Sequence, residues 1–239
     1  MPATGISLIR PHTEKIKPPR ALWVPFQLGH PLGAPDDAAF QRRVLMDVLH
    51  LLETTAQPPV LEDFPDDEPE NDVITVLACP VNFAKSVEET EEGGDALLTA
   101  LRREMTALRP WYETSLSQRR RTTVGASGIP VEGLADFIYA YIKGEEPPDL
   151  GTGIPLVYVL KNAVEDLKSY YVEGITAQPG QAGASSQVLQ DWFWDDTAAG
   201  EVLLAVKKVC EASDDKMLSM IGSHFIVPGD VARRKVSTG

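Results

Sequence analysis

A short apolar run, Ala21-Leu22-Trp23-Val24-Pro25-Phe26, leads through Gly29-His30-Pro31-Leu32-Gly33 into an amphipathic stretch that starts at Asp36. That order constrains the fold more than any other feature of the chain. The run is too apolar to alternate, which suits a strand covered on both faces. After the loop, Asp36 or Asp37 can cap a helix, and Phe40, Val44, Leu45, Val48, Leu51 and Leu52 recur at helical spacing to about residue 54. A second apolar run, Gly5-Ile6-Ser7-Leu8-Ile9, reads as another short strand. Between the two strands, Thr13 can cap one short turn, which Pro18-Pro19 ends.

The stretch 55–93 reads differently. Pro58-Pro59 is followed by Glu62, Asp63, Asp66, Asp67, Glu68, Glu70 and Asp72, and a second acidic run holds Glu88, Glu89, Glu91 and Glu92. Solvated connection is the expectation for both runs. They flank Val73-Ile74-Thr75-Val76-Leu77-Ala78-Cys79, read as an edge strand or as an apolar segment pinned to the body.

Beyond residue 94 the pattern is helical. Leu97, Leu98, Leu101, Met105 and Leu108 form one stripe, and Pro110 is placed to open a next helix. Further helices start at Pro130, Pro155 and Ser186, the last with a bend expected near Gly200, and a final one runs from about Asp214 to Phe225. The expected fold is therefore mainly α with a small α/β N-terminal part: an incomplete Rossmann-like strand–loop–strand–helix unit followed by a helical bundle. Its expected divisions are an α/β segment at 1–58, an acidic linker at 59–93, the bundle at 94–227 and a flexible polar tail at 228–239.

Charge and composition narrow the function. The net charge of −13 argues against nucleic-acid binding, which depends on cations meeting phosphates. No apolar run reaches the roughly 18–20 residues that cross a bilayer, and residues 1–5 lack signal-peptide character. The expectation is a cytoplasmic protein without a membrane or nucleic-acid partner. Two cysteines, Cys79 and Cys210, are too few for a disulfide framework and miss the paired spacing of a zinc site.

Candidate site residues follow from placement. Ligands of α/β proteins bind outside the carboxyl ends of strands, where the Gly29–Gly33 loop lies. Its two glycines permit close backbone approach, and His30 is a titratable group on a rigid turn. It is not a phosphate loop, since no Lys-Ser/Thr pair is present and Asp36-Asp37 would repel an anion. His12, after the first strand, can face the same sheet edge. A two-His metal site lacks a third ligand. Asp47 with His50, and Asp191 with Asp195, read as solvated helix faces. Ser127 in Gly125-Ala126-Ser127-Gly128 lacks the strand and motif of a nucleophile elbow.

Residues 17–26 (Lys-Pro-Pro-Arg-Ala-Leu-Trp-Val-Pro-Phe), 28–35 (Leu-Gly-His-Pro-Leu-Gly-Ala-Pro) and 40–45 (Phe-Gln-Arg-Arg-Val-Leu) resemble a known pattern. They are similar to the C-terminal end of the component B selenoprotein family of glycine, sarcosine, betaine and D-proline reductases. Ser7-Leu8-Ile9-Arg10 and Thr13-Glu14-Lys15 fit the same family, so the likeness covers residues 3–53. The helical remainder resembles an extension found on some members. The resemblance implies reductive cleavage at a substrate carbon by a selenocysteine or cysteine nucleophile, which in the family lies upstream of this segment. No residue here matches that nucleophile.

The expectation is accordingly a component, or the C-terminal portion, of such a reductase, its upstream codon read as a stop. It would act on a small-molecule substrate, with no cofactor of its own, beside a subunit that carries the catalytic Cys or Sec. His30 is the expected catalytic residue, and Gly29, Gly33, His12 and Arg10 are the expected substrate contacts. The alternative is a non-catalytic helical interaction module. A metal-dependent bundle enzyme is a third reading.

Overall fold

A computed structural model of the chain describes residues 2–34, 37–67, 96–145, 147–148, 150–151, 153–179 and 186–237, with the side chains of residues 230, 236 and 237 left aside. The chain divides into two compact units, residues 1–72 and 73–239. Its described residues are mainly helical, with one small parallel sheet.

The first unit alternates strand and helix. Strand β1 (Gly5–Ser7) leads into helix α1 (Arg10–Ile16), strand β2 (Arg20–Trp23), helix α2 (Ala38–His50) and strand β3 (Val60–Asp63). All strands are parallel in the order β1-β2-β3, with Ile6 beside Leu22 and Leu22 beside Glu62. The segment expected to form a single turn is thus a helix of seven residues, entered through Pro11 and closed by Lys17 at φ 53°. Strand β3 lies in the stretch expected to be connection, and Phe64, which follows it, is 3% exposed.

Helix α2 is capped by Asp37, whose carboxylate accepts from the Phe40 amide at 2.9 Å. Its buried stripe is Phe40, Val44, Val48 and Leu51, packed with Leu22, Val24, Phe26 and Phe64. Phe26, Phe40 and Phe64 meet with ring centroids 5.5–5.8 Å apart. Leu45 and Leu52, expected on this face, are exposed instead: Leu45 sits a full residue step around α2 from Val44, and Leu52 lies past the end of the helix.

The second unit is helical in its described residues: α3 (Ala96–Arg119), α4 (Val131–Lys143), α5 (Leu156–Thr176), α6 (Ser186–Asp196), α7 (Ala198–Glu211), α8 (Lys216–His224) and α9 (Gly229–Ser237). Helix α3 packs along α5 and against α7, and α7 pairs with α8. The core includes Leu101, Leu108, Leu134, Leu160, Leu167 and Leu203, all fully buried.

Three expectations are corrected here. Helix α3 continues through Pro110, which sits on its exposed side. The bend expected near Gly200 is a break at Thr197, whose hydroxyl accepts from the Gly200 amide at 3.0 Å and donates to the Phe193 carbonyl at 2.6 Å. The stretch expected to be a flexible tail is helical as far as Ser237. Val231 is 1% exposed, Arg234 bonds Asp191 at 2.6 Å, and Lys235 meets Asp195 at 2.6 Å. The apolar run 73–79, read as an edge strand or a pinned segment, lies outside the described residues, as does most of the 59–93 stretch.

Candidate functional site

The parallel sheet sends the carboxyl ends of β1, β2 and β3 to one edge. Three features gather there: the start of α1, the loop from β2 to α2, and Asp63. Arg10, the first residue of α1, reaches past β2 to Asp63 with its Nε 3.0 Å from Oδ1, and also meets Glu14. The bond to Asp63 chiefly raises the guanidinium pKa further above its ordinary value. Arg10, an expected substrate contact, is therefore occupied by carboxylates of its own chain.

The β2–α2 loop is held by its backbone. The His30 amide donates to the Gln27 carbonyl at 3.0 Å, and the Gly33 amide donates to the His30 carbonyl at 2.9 Å. The Gln41 side chain closes the loop by donating to the Ala34 carbonyl at 2.8 Å. Gly29 and Gly33 take φ of 100° and 88°, where side chains other than hydrogen are strained. A Cβ at Gly33 would lie 2.5 Å from the Phe40 ring, whereas one at Gly29 would meet nothing within 4 Å. Gly33 is thus demanded by packing. Gly29 leaves open space beside His30, which is half-buried.

His12 lies elsewhere. It is exposed on α1 and lines a groove of about 490 Å³ beside β1, with Thr4, Ser7, Thr13 and Arg20 as its polar lining. Leu28 borders the same groove, whereas Arg10, Gly29, His30 and Gly33 do not line it. The expected site residues therefore fall into two places: His12 in the groove, and Arg10 with the glycine loop at the carboxyl edge. Within the groove, the Ser7 and Thr13 hydroxyls bond to each other, and Thr13 also donates to the Ile9 carbonyl at 3.2 Å. The Thr4 hydroxyl oxygen and the Arg20 Nε are buried without a hydrogen-bond partner. Sequence reasoning missed both, because nothing in Thr4 or Arg20 alone says that its polar atom is enclosed and unmet.

The buried carboxylates of the second unit are structural by their contacts. Asp166 accepts from the amides of Gly125, Ala126 and Ser127 at 2.9–3.0 Å and from the Ser127 hydroxyl at 2.6 Å. Ser127 is thereby fixed as a loop anchor, 4% exposed. Glu104 accepts from the Ala198 amide at 2.8 Å, where α7 begins, and from the Tyr171 hydroxyl at 2.8 Å. Burial lifts its carboxyl pKa above the ordinary range. A second groove, of about 420 Å³, lies between α3 and α4 over Met105, Tyr112 and Tyr170. Arg109 stands on its rim, paired with Glu113 and Glu132 at 3.0 and 3.2 Å.

Cys210 is fully buried, and burial pushes its thiol up to about 11, away from nucleophilic character. Cys79 lies outside the described residues. Among the described residues, no group of three His, Cys, Asp or Glu side chains is arranged to hold a metal ion, and no helix is long and apolar enough to cross a membrane. Compared with family models, curated proteins and solved structures, the chain matches none.

Proposed function

We propose that this chain is a component of a thiol- or selenol-dependent reductase resembling component B of the glycine, sarcosine, betaine and D-proline reductases. It would act in the cytoplasm and form one wall of the active site. The observation that carries this reading is that the resembling residues fold as one piece. They cover the stretch from β1 into α2, and the two glycines of the motif both take positive φ. The α/β unit then serves as part of a Rossmann-like sheet, and its carboxyl edge faces the substrate.

In this reading the nucleophile comes from a partner polypeptide. Its thiolate or selenolate attacks the substrate carbon, and the bond from that carbon to the leaving group breaks. His30, on a backbone-fixed turn, donates a proton to the leaving group, and Gly29 lets substrate approach the main chain beside it. Cys210 takes no part, being buried and protonated. The helical unit carries contacts to the rest of the assembly.

The test joins this chain to the polypeptide encoded immediately upstream. Reductase activity that needs both proteins, is abolished by alkylation, and falls at least tenfold in His30→Gln supports the reading. An upstream region that encodes no thiol- or selenol-bearing relative of the family refutes it. A second reading, a non-catalytic interaction module, draws on α8, which leaves Met217, Met220 and the adjoining Phe225 exposed.

A further inference from the structure

Helix α2 carries a second apolar stripe besides its buried one. Leu45, Leu49 and Leu52 are 44%, 43% and 37% exposed, and Met46 beside them is 41% exposed. Steps of four and three between the leucines keep them on one line, the spacing of a helix–helix seam. The turn continues past His50, because the Leu52 amide donates to the Leu49 carbonyl and the Glu53 amide to the His50 carbonyl, both at 2.9 Å. At about 100° per residue the stripe lies to one side of the buried line of Phe40, Val44, Val48 and Leu51. Single exposed leucines are ordinary on a protein surface, but an unbroken row along one helix is not.

Two exposed charges stand on the flank of this stripe away from the core. Arg42 lies one turn before Leu45, and Glu53 follows Leu52. Neither has an ion-pair partner among the described residues. The neighbouring Arg43 differs, being held by Asp66 at 2.7 Å and lying over the Phe40 ring. An antiparallel two-fold contact brings the same flank of two helices together with their ends exchanged, so that residue i meets j and j meets i. It sets Arg42 against Glu53 of the other copy, twice. The midpoint of Arg42 and Glu53 falls between Asp47 and Val48, and so does the midpoint of Met46 and Leu49. One axis therefore matches opposite charges and apolar side chains together. A parallel pair would set Arg42 beside Arg42 and Glu53 beside Glu53. An anionic membrane surface fits less well, because a net charge of −13 is repelled by it.

We propose that α2 pairs antiparallel with α2 of a second copy of this chain, through Leu45, Met46, Leu49 and Leu52, with an Arg42–Glu53 pair at each end. A face about three turns long is small beside the roughly 800 Å² per partner of a standard interface, so the dimer forms in the micromolar range. The pairing is independent of the reductase reading.

The experiment is sedimentation equilibrium of the full chain from about 1 to about 500 μM, in about 0.15 M salt to damp effects of net charge. The expected result is a monomer–dimer equilibrium. Leu49→Glu, at an exposed position that enters the contact twice, should weaken it by about thirtyfold or more. Arg42→Glu and Glu53→Arg should each weaken it about tenfold, since each sets like charges together at both ends. Mixed, these two variants should associate as the parent chain does, because every Glu again faces an Arg. The double reversal should also associate as the parent does, and its net charge is unchanged.

A parent chain that stays monomeric overturns the proposal, and that observation needs no variant to fold. If Leu49→Glu then blocks binding to the polypeptide encoded upstream, the face belongs to that protein instead. A dimer indifferent to Leu49→Glu, single reversals without effect, and a double reversal that fails to recover each overturn it as well.

Discussion

The glycine loop offers the sharpest test of what its residues are for, through Gly29→Ala and Gly33→Ala. Both positions have positive φ, so alanine at either one costs about 1–2 kcal/mol in backbone strain. At Gly29 nothing more is expected, because the added methyl group meets open space. At Gly33 the methyl would lie 2.5 Å from Phe40 Cε1 and 2.7 Å from Cδ1. Phe40 is 7% exposed and is locked against Phe26 and Phe64, so the ring cannot swing aside freely. Overpacking of that kind adds about 1–3 kcal/mol, for a total of roughly 2–5 kcal/mol at Gly33. Native-state hydrogen exchange of the Val44 and Val48 amides reads the loss within the first unit. In a Phe40→Leu background, where the ring is gone, Gly33→Ala should fall to the Gly29→Ala value, a coupling of at least about 1 kcal/mol. If the two alanine variants lose the same stability, and Phe40→Leu changes neither, the packing account of Gly33 is wrong. The glycine would then serve ligand approach, as Gly29 is proposed to do.

Three further outcomes are expected. Asp166→Ala should lower the unfolding free energy of the second unit by about 3–5 kcal/mol, read from denaturant midpoints at unchanged slope. Water can serve the Gly125 and Ala126 amides, but the Ser127 amide and the hydrogen of its hydroxyl stay buried and unmet. For Glu104, burial raises the native pKa above the ordinary value of 4.5, so the folded state binds the proton more readily than the unfolded one. Its contribution to stability is therefore fullest below 4.5 and is lost as pH rises through the raised native pKa. Glu104→Gln should flatten that slope in stability measured across the acid range, and an unchanged slope would assign it to another group. Cys210 should resist iodoacetamide in the native protein and label only in denaturant, scored by intact mass. Fast native labelling at this position would contradict its burial.

Local physics made α2 legible: Asp37 caps it, and the stripe Phe40, Val44, Val48 and Leu51 keeps one period through the helix. Strand β3 was hidden because two of its four residues, Glu62 and Asp63, belong by composition to the acidic run. Pairing with β2 makes those residues a strand, and no local propensity announces it. Helix α9 was hidden for a related reason. Its anchor is the bond of Arg234 to Asp191, partners 43 residues apart, so a polar sequence that looks frayed is held from outside. Pro110 misled in the opposite sense. Proline favours the first turn of a helix, yet on the exposed side of α3 the long packing face of that helix outweighs the lost hydrogen bond. Of the candidate site, the positive φ of the loop glycines and the strand-to-helix order were legible. Arg20 and Thr4 were not, since an unmet buried atom exists only once the chain has closed around it.

The polar groups of the two units point to where chemistry can occur. In the second unit, Asp166 and Glu104 commit their oxygens to backbone amides and hydroxyls of their own fold. A carboxylate bound in that way is a poor acid, base or ligand, because each new partner must displace a bond that the fold needs. In the first unit, Arg10 is likewise taken up by Asp63 and Glu14. Arg20 and Thr4 differ: their buried polar atoms have no partner, and both residues line the groove beside β1, whose lining holds no carboxylate. Enclosed donors of that kind are stabilised by whatever brings an acceptor to them. In the first unit, the enclosed Thr4 hydroxyl and Arg20 Nε are therefore the groups that a new hydrogen-bond partner would stabilise most.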